Sequence, residues 1–267
     1  MKQAPTTVTS RLFRSIVRFW FVVTFLSQLV FAYYVLMVYW RSIAARNWEH
    51  WNTVNSHFFV RSDRTGNLVF ALHVFFAAIV TLLGPLQLVP QIRSRAPRIH
   101  RWCGRVYIST AILMGLSGLY LTWVRSAIGG LQMSIAITFN ALIILTTAFF
   151  AIRYARARNF KLHQQWAVHL FVAMSGVWMF RVFFMLWMVI HQAPVGFDPD
   201  TFTGPFLTAL AIGVYIFPQA IVAWYFSARQ TYIRWITWGF TLFLLLTTLG
   251  IFVGTIGATL GMWLPRI

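Results

Sequence analysis

Seven long apolar runs, separated by short polar segments, dominate the chain. A helix that crosses a bilayer needs about 20 mostly apolar residues, and each run is long enough for that. The pattern predicts an all-α integral membrane protein with seven transmembrane helices, called here spans 1 to 7 in chain order. The spans fall at roughly 15–40, 67–91, 103–124, 131–152, 164–190, 204–226 and 235–262.

Composition agrees with this pattern. The 267 residues are 59% hydrophobic and 10% charged, with a mean hydropathy of +0.70, whereas soluble domains carry about a quarter charged residues. We therefore expect a single membrane domain over residues 1–267, made of span 1 (15–40), a four-helix core (67–190) and spans 6 and 7 (204–262). Span 1 is too long for a signal-peptide core and lacks a small-residue cleavage site, so we expect it to stay as a helix.

The net charge is +18, from 22 Lys and Arg against 4 Asp and Glu, and the basic residues are distributed unevenly. The positive-inside rule then puts the N-terminus in the cytoplasm and the C-terminus outside, in a bacterial inner membrane. The charge serves topology and contacts with anionic lipid head groups, so no nucleic-acid partner is needed to explain it. Fifteen of the 22 basic residues lie in the predicted inner segments: Lys2, Arg11, Arg14, Arg18, Arg93, Arg95, Arg98, Arg101, Arg105, Arg153, Arg156, Arg158, Lys161, Arg229 and Arg234.

The acidic residues all fall in the predicted outer segments. No acid lies in a span, which argues against an ordinary proton-coupled or sodium-coupled carrier. The long outer loop after span 1 contains NWEHWN, residues 47–52, whose tryptophans we expect at the depth of the lipid head groups. The four acids are Glu49, Asp63, Asp198 and Asp200.

A weak internal repeat joins the middle spans. Span 2 continues through IRSRAPRIH into span 3, and span 4 continues through IRYARARNFKLH into span 5. Each unit is a helix, a basic turn that starts Ile-Arg, and a histidine that opens the next helix, so His100 and His163 are equivalent. The repeat predicts a four-helix bundle from spans 2–5, with spans 1, 6 and 7 packed outside. Repeats of this kind often place a binding site between their halves.

Five ionisable residues fall at two levels of this bundle. His100, His163 and His169 lie towards the inner side, and His73 and Arg181 lie towards the outer side. His169 follows His163 by six residues, about 9 Å deeper and roughly 120° further around the helix. Ionisable groups at membrane depth are costly and usually mark a function. The alternatives are packed, hydrogen-bonded histidines at 73 and 169, and structural histidines at the helix starts at 100 and 163.

Arg181 has no acid in any span to neutralise it. We expect it to pair with a cofactor propionate, a lipid phosphate or backbone carbonyls. Span 3 also carries a stripe of small residues on the side of Tyr107, which permits close helix packing and would equally leave space for a flat macrocycle. The stripe consists of Gly104, Ala111, Gly115 and Gly118.

Two proline-containing segments are expected to interrupt their helices. GPLQLVP, residues 84–90, ends span 2 around Gln87, and Pro218 precedes Gln219 in span 6. Such breaks free backbone carbonyls inside the membrane. They are either structural kinks or the lining of a polar cavity, for example for a quinone head group.

Several kinds of site have no counterpart in the sequence. It contains no Gly-rich phosphate loop, no paired carboxylates and no Cys/His zinc spacing, which makes nucleotide hydrolysis and hydrolytic metal chemistry poor hypotheses. Cys103 is the only cysteine, so an intramolecular disulfide and a thiolate metal cluster are excluded.

The middle of the chain resembles a bacterial family of membrane proteins catalogued as domain of unknown function 2306. The resemblance extends from His73 to Arg181 and rests on GPLQLVP, PRIHRWCGRVY, GLSGLY and HQQW between them. It implies a multi-span helical fold and supplies no activity. The family usually places an arginine where this chain has His169. We therefore expect the chemistry around His169 to differ from that of other members of the family.

The leading functional hypothesis is a b-type haem-binding protein, or a cytochrome-like redox subunit that passes electrons to or from a quinone or a partner protein. Facing histidines in a four-helix bundle commonly hold haem. The expected haem-iron ligands are His100 with His163 or His169, and depth favours His163. His73 would bind a second, outer group whose propionates lie near Arg181. Three aromatic residues would flank the ring: Trp102, Tyr107 and Trp166.

The alternative hypothesis is a non-enzymatic membrane module without haem. It would be a sensor, an accessory subunit or a carrier of a small lipophilic ligand, with the histidines as hydrogen-bonding or pH-sensitive groups. Both hypotheses include contacts with anionic lipids and are compatible with a homo-oligomer. The sequence leaves open whether the protein is an enzyme.

Overall fold

The protein is described by a computed structural model that covers residues 7–54, 57–126, 129–231 and 233–267. Helices make up 85% of these residues, and they contain no strand, only an isolated bridge between Asp198 and Thr203. The all-α prediction is therefore confirmed. The α-helices of the described ranges are α1 (Thr7–Ala44), α2 (Arg64–Leu88), α3 (Pro90–Arg95), α4 (Pro97–Val124), α5 (Gly130–Arg156), α6 (Phe160–Met174), α7 (Gly176–His191), α8 (Pro205–Tyr215), α9 (Pro218–Gln230) and α10 (Arg234–Ala258).

The seven predicted spans correspond to five long helices and two bent pairs. Helices α1, α2, α4, α5 and α10 are each long and apolar enough to cross a membrane. The pair α6 and α7 meets at 50°, and the pair α8 and α9 meets at 41°. Counting each bent pair as one span gives seven, and the protein is integral to a membrane.

Span 5 was expected to be one helix over 164–190, and this is wrong. The helix breaks at Ser175, whose hydroxyl donates to the carbonyl oxygen of Phe171 at 2.8 Å and accepts from Nε2 of Gln28 at 2.9 Å. A serine that bonds the carbonyl four residues back tends to bend a helix. The next residue, Gly176, has no side chain, and Tyr215 of α8 lies directly against it. These contacts explain the bend.

The bend in span 6 was expected at Pro218, and it lies there. Proline lacks an N–H, and its ring collides with the preceding turn of a helix. Span 2 behaves differently, because α2 continues through Pro85 and ends at Leu88. Pro90 then starts α3, a position that proline favours because the first helical N–H needs no partner there.

The helix termini gather at two ends of the molecule. At the first, called the basic end, Phe13 near the start of α1 packs against Tyr225 of α9 and Phe240 of α10, with ring centroids 6.2 and 5.9 Å apart. At the opposite end, Nη1 of Arg41 in α1 donates to the carbonyl oxygen of Ile267 at 2.8 Å. The sequence predicts that the basic end is cytoplasmic.

Arg125 joins three segments at the opposite end. Its Nε donates to Oδ2 of Asp63 at 3.0 Å, its Nη1 to the carbonyl oxygen of Phe58 at 3.1 Å, and its Nη2 to Oδ1 of Asn67 at 2.8 Å. Asp63 also caps α2, because its Oδ1 accepts from the backbone N–H of Gly66. Only 7% of the Arg125 side chain is exposed. The cluster therefore fixes the loop before α2 to the end of α4.

Four helices form a closed ring, in which α2 contacts α4, α4 contacts α5, α5 contacts α6, and α6 contacts α2. This ring corresponds to the predicted bundle of spans 2–5, except that α7 leaves it and packs on α8 and α10. Apolar side chains fill its interior: Val80, Tyr107, Ala111, Ile144, Ala148, Leu170 and Ala173. In the small-residue stripe of α4, Ala111 is buried and Gly115 lies against Leu145 of α5. These contacts agree with the helix-packing interpretation of the stripe.

The two tryptophans of NWEHWN have different surroundings, and their expected position at the depth of the head groups stays a prediction. Trp48–Thr53 form a 3-10 turn that places Trp51 against Tyr39 of α1 and Phe70 of α2. Only 1% of Trp51 is exposed, so it belongs to the core.

Candidate functional site

His100 and His163 lie in the first turns of α4 and α6. The ring nitrogen Nδ1 of His163 is 2.9 Å from the carbonyl oxygen of Ala151. A carbonyl only accepts, so Nδ1 carries the proton and Nε2 has a free lone pair. Both histidines therefore lie near the start of their helices, at the basic end.

Gln87 of α2 lies against His100 and Gly104 of α4. With the nitrogen of its amide turned towards α4, Gln87 donates to Nδ1 of His100 at 3.3 Å and to the His100 carbonyl oxygen at 3.2 Å. Its oxygen then accepts from the backbone N–H of Gly104 at 3.3 Å. In this arrangement Nδ1 of His100 is an acceptor and Nε2 carries the proton of the neutral ring. His100 would have to exchange tautomers to bind iron through Nε2.

His169 faces a different helix. Its Nδ1 is 2.7 Å from Oε1 of Gln219, and Nε2 of Gln219 lies 3.5 Å from the His169 carbonyl oxygen. The ring also approaches Trp166, with centroids 5.7 Å apart. His169 therefore connects α6 to the start of α9.

His73 connects α2 to α4. Its Nδ1 is 2.8 Å from Oγ of Ser117, which donates its own proton to the carbonyl oxygen of Leu113. The hydroxyl therefore accepts from His73, and Nε2 of His73 keeps its lone pair. Within the described ranges, no group of three or more His, Cys, Asp or Glu residues comes together in a metal-binding arrangement.

Arg181 lies between α7 and α1. Its Nη1 is 3.3 Å from the carbonyl oxygen of Val177, and its guanidinium carbon is 5.6 Å from the ring centroid of Phe31. No acid in the described ranges forms an ion pair with it. A backbone carbonyl and an aromatic face are thus its partners, and a cation over an aromatic ring is a favourable arrangement.

The three aromatic residues predicted to flank a cofactor lie in separate surroundings. Trp102 is 65% exposed, with the guanidinium of Arg105 5.0 Å from its ring centroid. Tyr107 is buried inside the four-helix ring. Trp166 stacks on Phe150 with centroids 4.5 Å apart. The three residues thus have different neighbours, and their place around a cofactor stays a prediction.

A large cavity lies elsewhere, between α1 and helices α6–α10. Its volume is about 1690 Å³, whereas pockets for drug-sized ligands commonly measure about 300–1,000 Å³. The bends of spans 5 and 6 contribute to it, because Ser175 and Pro218 both lie on its wall. Apolar and aromatic side chains form most of the lining, and no histidine, cysteine or acid of the described residues takes part.

The cavity is basic at one end and apolar at the other. Trp187, Ile190 and Phe206 line it towards the opposite end. From Phe206 to Arg229 the lining follows α8 and α9 for about 35 Å along the helices at 1.5 Å per residue. Across the 41° bend between the two helices this is roughly 30 Å from end to end. Five exposed arginines, called here the arginine rim, line it at the basic end: Arg14, Arg18, Arg93, Arg229 and Arg234.

Charge is also segregated between the two ends. Arg61 pairs with Glu49, and Arg125 pairs with Asp63, so both ion pairs of the described residues are at the opposite end. In the loop before α8, the backbone N–H of Asp200 and the hydroxyl of Thr201 donate to Asp198 and hold the pKa of its carboxyl below the usual range. No acid of the described residues pairs with the arginine rim.

Sequence reasoning did not predict the cavity. The rim arginines were interpreted as topology signals, and the walls belong to helices that hydropathy cannot place relative to one another. The expected kink at Pro218 was partial evidence for the cavity, because a bent helix leaves space between itself and its neighbours.

The fold and the cavity define an all-helical integral membrane protein with a ligand-sized space among its helices. The model of a family described as "predicted membrane protein (DUF2306)" matches residues 70–227, more than half of the chain. The chain belongs to this family, as the motifs between His73 and Arg181 indicated. The match begins in α2 and ends in α9, and so includes the four-helix ring and both bent spans. No curated protein and no solved structure matches the chain.

Proposed function

We propose that this protein is a non-enzymatic binding protein of the bacterial inner membrane that holds a long lipophilic molecule in the cavity between α1 and α6–α10. The observation that carries the proposal is the cavity itself, with its volume of about 1690 Å³ and its largely apolar lining. Its length is close to the hydrocarbon thickness of a bilayer, about 30 Å. A chain-like molecule suits this shape better than a compact one.

Selective binding inside a membrane requires more than apolar walls. A chain that is already dissolved in lipid gains little from leaving water, so van der Waals fit and polar contacts decide its affinity. Here the aromatic lining supplies shape, through residues such as Trp178, Phe183 and Tyr225. The cavity would therefore discriminate between ligands by length and by head group.

Substitution of Gly213 by tryptophan is expected to displace the ligand. Gly213 lines the cavity, and an added Cβ atom there meets no other segment of the protein within 4 Å. We therefore expect a larger side chain to start without a collision and to occupy part of the cavity. We expect native mass spectrometry of protein purified in mild detergent to show a several-fold lower fraction of lipid-bound molecules.

Leu242→Trp is the matched control. Leu242 lies on α10, is 58% exposed and does not line the cavity. This variant should keep the bound species of the unsubstituted protein. If Gly213→Trp also keeps them, the cavity is not the ligand site.

A second candidate function is haem binding at the basic end, with electron transfer to or from a quinone or a partner protein. It is favoured by the positions of His100 and His163 at the starts of α4 and α6, both at the basic end, and by the hydrogen bond from Nδ1 of His163 to the Ala151 carbonyl oxygen, which leaves Nε2 free. Metal-bound histidines commonly donate their other N–H to a carbonyl in this way. Because side chains fill the four-helix ring, the haem would lie at the end of the ring.

Absorbance spectra of protein made with adequate haem supply test this candidate. Haem binding predicts a Soret band, and an α-band that sharpens on reduction. His163→Ala should then remove both bands, whereas His191→Ala, near the opposite end, should leave them unchanged. Absence of any band from the folded protein would exclude the haem candidate.

A further inference from the structure

We infer that the cavity ligand is a phosphate-headed lipid whose head lies at the arginine rim and whose single chain extends beyond one leaflet. The inference rests on the proposed function, because it concerns the same cavity. It adds an orientation, a head-group chemistry and a chain length.

The charge of the rim indicates the head group. Its five arginines face a cavity without any acid, and none forms an ion pair with a described residue. Arginine binds phosphate through paired N–H donors in a fixed geometry. A phosphate therefore supplies the negative charge that the protein does not provide at this end.

The arginines of the rim belong to four separate helices. The stacking of Phe13 on Tyr225 sets the start of α1 beside the end of α9, which carry Arg14 and Arg229. Helix α10 begins at the same place with Arg234, and α3 contributes Arg93. Four separate helices thus present guanidinium groups around one opening.

The interior of the cavity is unsuited to a second charged group. Two of its hydroxyls are already used within their own helices, because Ser175 donates to the Phe171 carbonyl and Thr247 donates to the Phe243 carbonyl. No ionisable side chain lines the cavity between the rim and Phe206 apart from Tyr225. The hydroxyl of Thr24 also lines the cavity and has no hydrogen-bond partner, but it carries no charge. The head therefore stays at the rim, and the rest of the ligand is largely hydrocarbon.

The length of the lining indicates the chain. It extends roughly 30 Å from end to end, which equals the hydrocarbon thickness of a whole bilayer, whereas a phospholipid chain reaches through about half of that. A phospholipid anchored at the rim would leave the region of Trp187 and Phe206 unfilled. A polyprenyl phosphate has both the head and the length that the cavity requires.

The test compares three added lipids by native mass spectrometry of the full-length protein in detergent. They are a long-chain polyprenyl phosphate, the polyprenol of the same length, and dioleoyl phosphatidylglycerol. We expect the polyprenyl phosphate to bind about tenfold or more tightly than either of the others, which is the effect of one charge-assisted hydrogen-bond pair or more.

Two double variants test the rim. Arg14→Gln with Arg229→Gln, and independently Arg93→Gln with Arg234→Gln, should each weaken the binding of polyprenyl phosphate about tenfold. The matched control is Arg95→Gln with Arg156→Gln. It removes the same charge from exposed positions at the same end, outside the cavity lining, and should bind as the unsubstituted protein does. Unchanged gel-filtration profiles would show that all variants are folded.

The outcomes separate the inference from the proposed function. Equal binding of polyprenol and polyprenyl phosphate, or unchanged binding in both rim variants, overturns the phosphate head while Gly213→Trp still blocks the cavity. Equal binding of phosphatidylglycerol and polyprenyl phosphate overturns the chain length. Unchanged binding of all three lipids in Gly213→Trp overturns the proposed function and this inference together.

Discussion

Replacement of Arg125 by glutamine is expected to lower the free energy of unfolding by about 2–4 kcal/mol. The side chain is 7% exposed and donates to Asp63, Asn67 and the Phe58 carbonyl. Removing one partner of a buried ion pair leaves the other charge uncompensated, at a cost of about 3–5 kcal/mol when burial is complete. Because 35% of the Asp63 side chain is exposed, solvent partly compensates its charge. The expected loss of unfolding free energy is therefore smaller than for a fully buried pair. Thermal unfolding in detergent, monitored by circular dichroism, measures the effect.

Arg61→Gln provides the comparison for this substitution. Arg61 also pairs with an acid, Glu49, but its side chain is 84% exposed. Exposed ion pairs contribute about 0–1 kcal/mol, because solvent screens them. The melting temperature of Arg61→Gln should therefore stay close to that of the unsubstituted protein. Equal losses in both variants would contradict the role assigned to the buried cluster.

Gly254→Val is expected to be the most damaging substitution in α10. A Cβ atom at Gly254 would lie 2.9 Å from Cγ1 and 3.0 Å from the carbonyl carbon of Val182 in α7. Val182 is fully buried, so the two backbones must separate. Overpacking of this kind costs about 1–3 kcal/mol, and more where backbone has to move. We expect a loss of about 3 kcal/mol or a failure to assemble, visible as aggregated protein on gel filtration.

Gly213→Val is the matched control for Gly254→Val. It makes the same change inside a helix, at a position where an added Cβ atom contacts no other segment of the protein. Valine has a slightly better helix propensity than glycine, by a few tenths of a kcal/mol. The control should fold normally. A well-folded Gly254→Val protein would mean that α7 and α10 do not pack as closely as described.

Much of the fold follows from the sequence because hydrophobicity has a simple effect in membranes. Each apolar run must satisfy its backbone internally, so it becomes a helix of predictable extent. Pro218 bends span 6 because of its own covalent structure, and was therefore predictable. The break at Ser175 was not, because it depends on Gln28 and Tyr215, which are remote in the sequence.

The candidate site likewise has features that the sequence predicts and features that it does not. The sequence placed His100 and His163 at helix starts, and both lie in the first turns of α4 and α6. It did not identify their partners, because hydrogen bonds to Gln87 and to the Ala151 carbonyl depend on side-chain orientation. The proposed haem ligation remains a prediction. The cavity was not predicted because it depends on how whole helices are placed relative to one another. The local pattern of hydrophobic residues does not contain that information.

The two bent spans also constrain how the molecule can move. Tyr215 of span 6 lies in the notch left by Gly176 of span 5, and Gln219 is bonded to His169 on the other side of both breaks. Straightening one span would break these contacts with the other. The bends of the two spans are therefore coupled. The wall formed by α6–α9 is therefore tied together on both sides of its breaks, and we expect the two bends to change together.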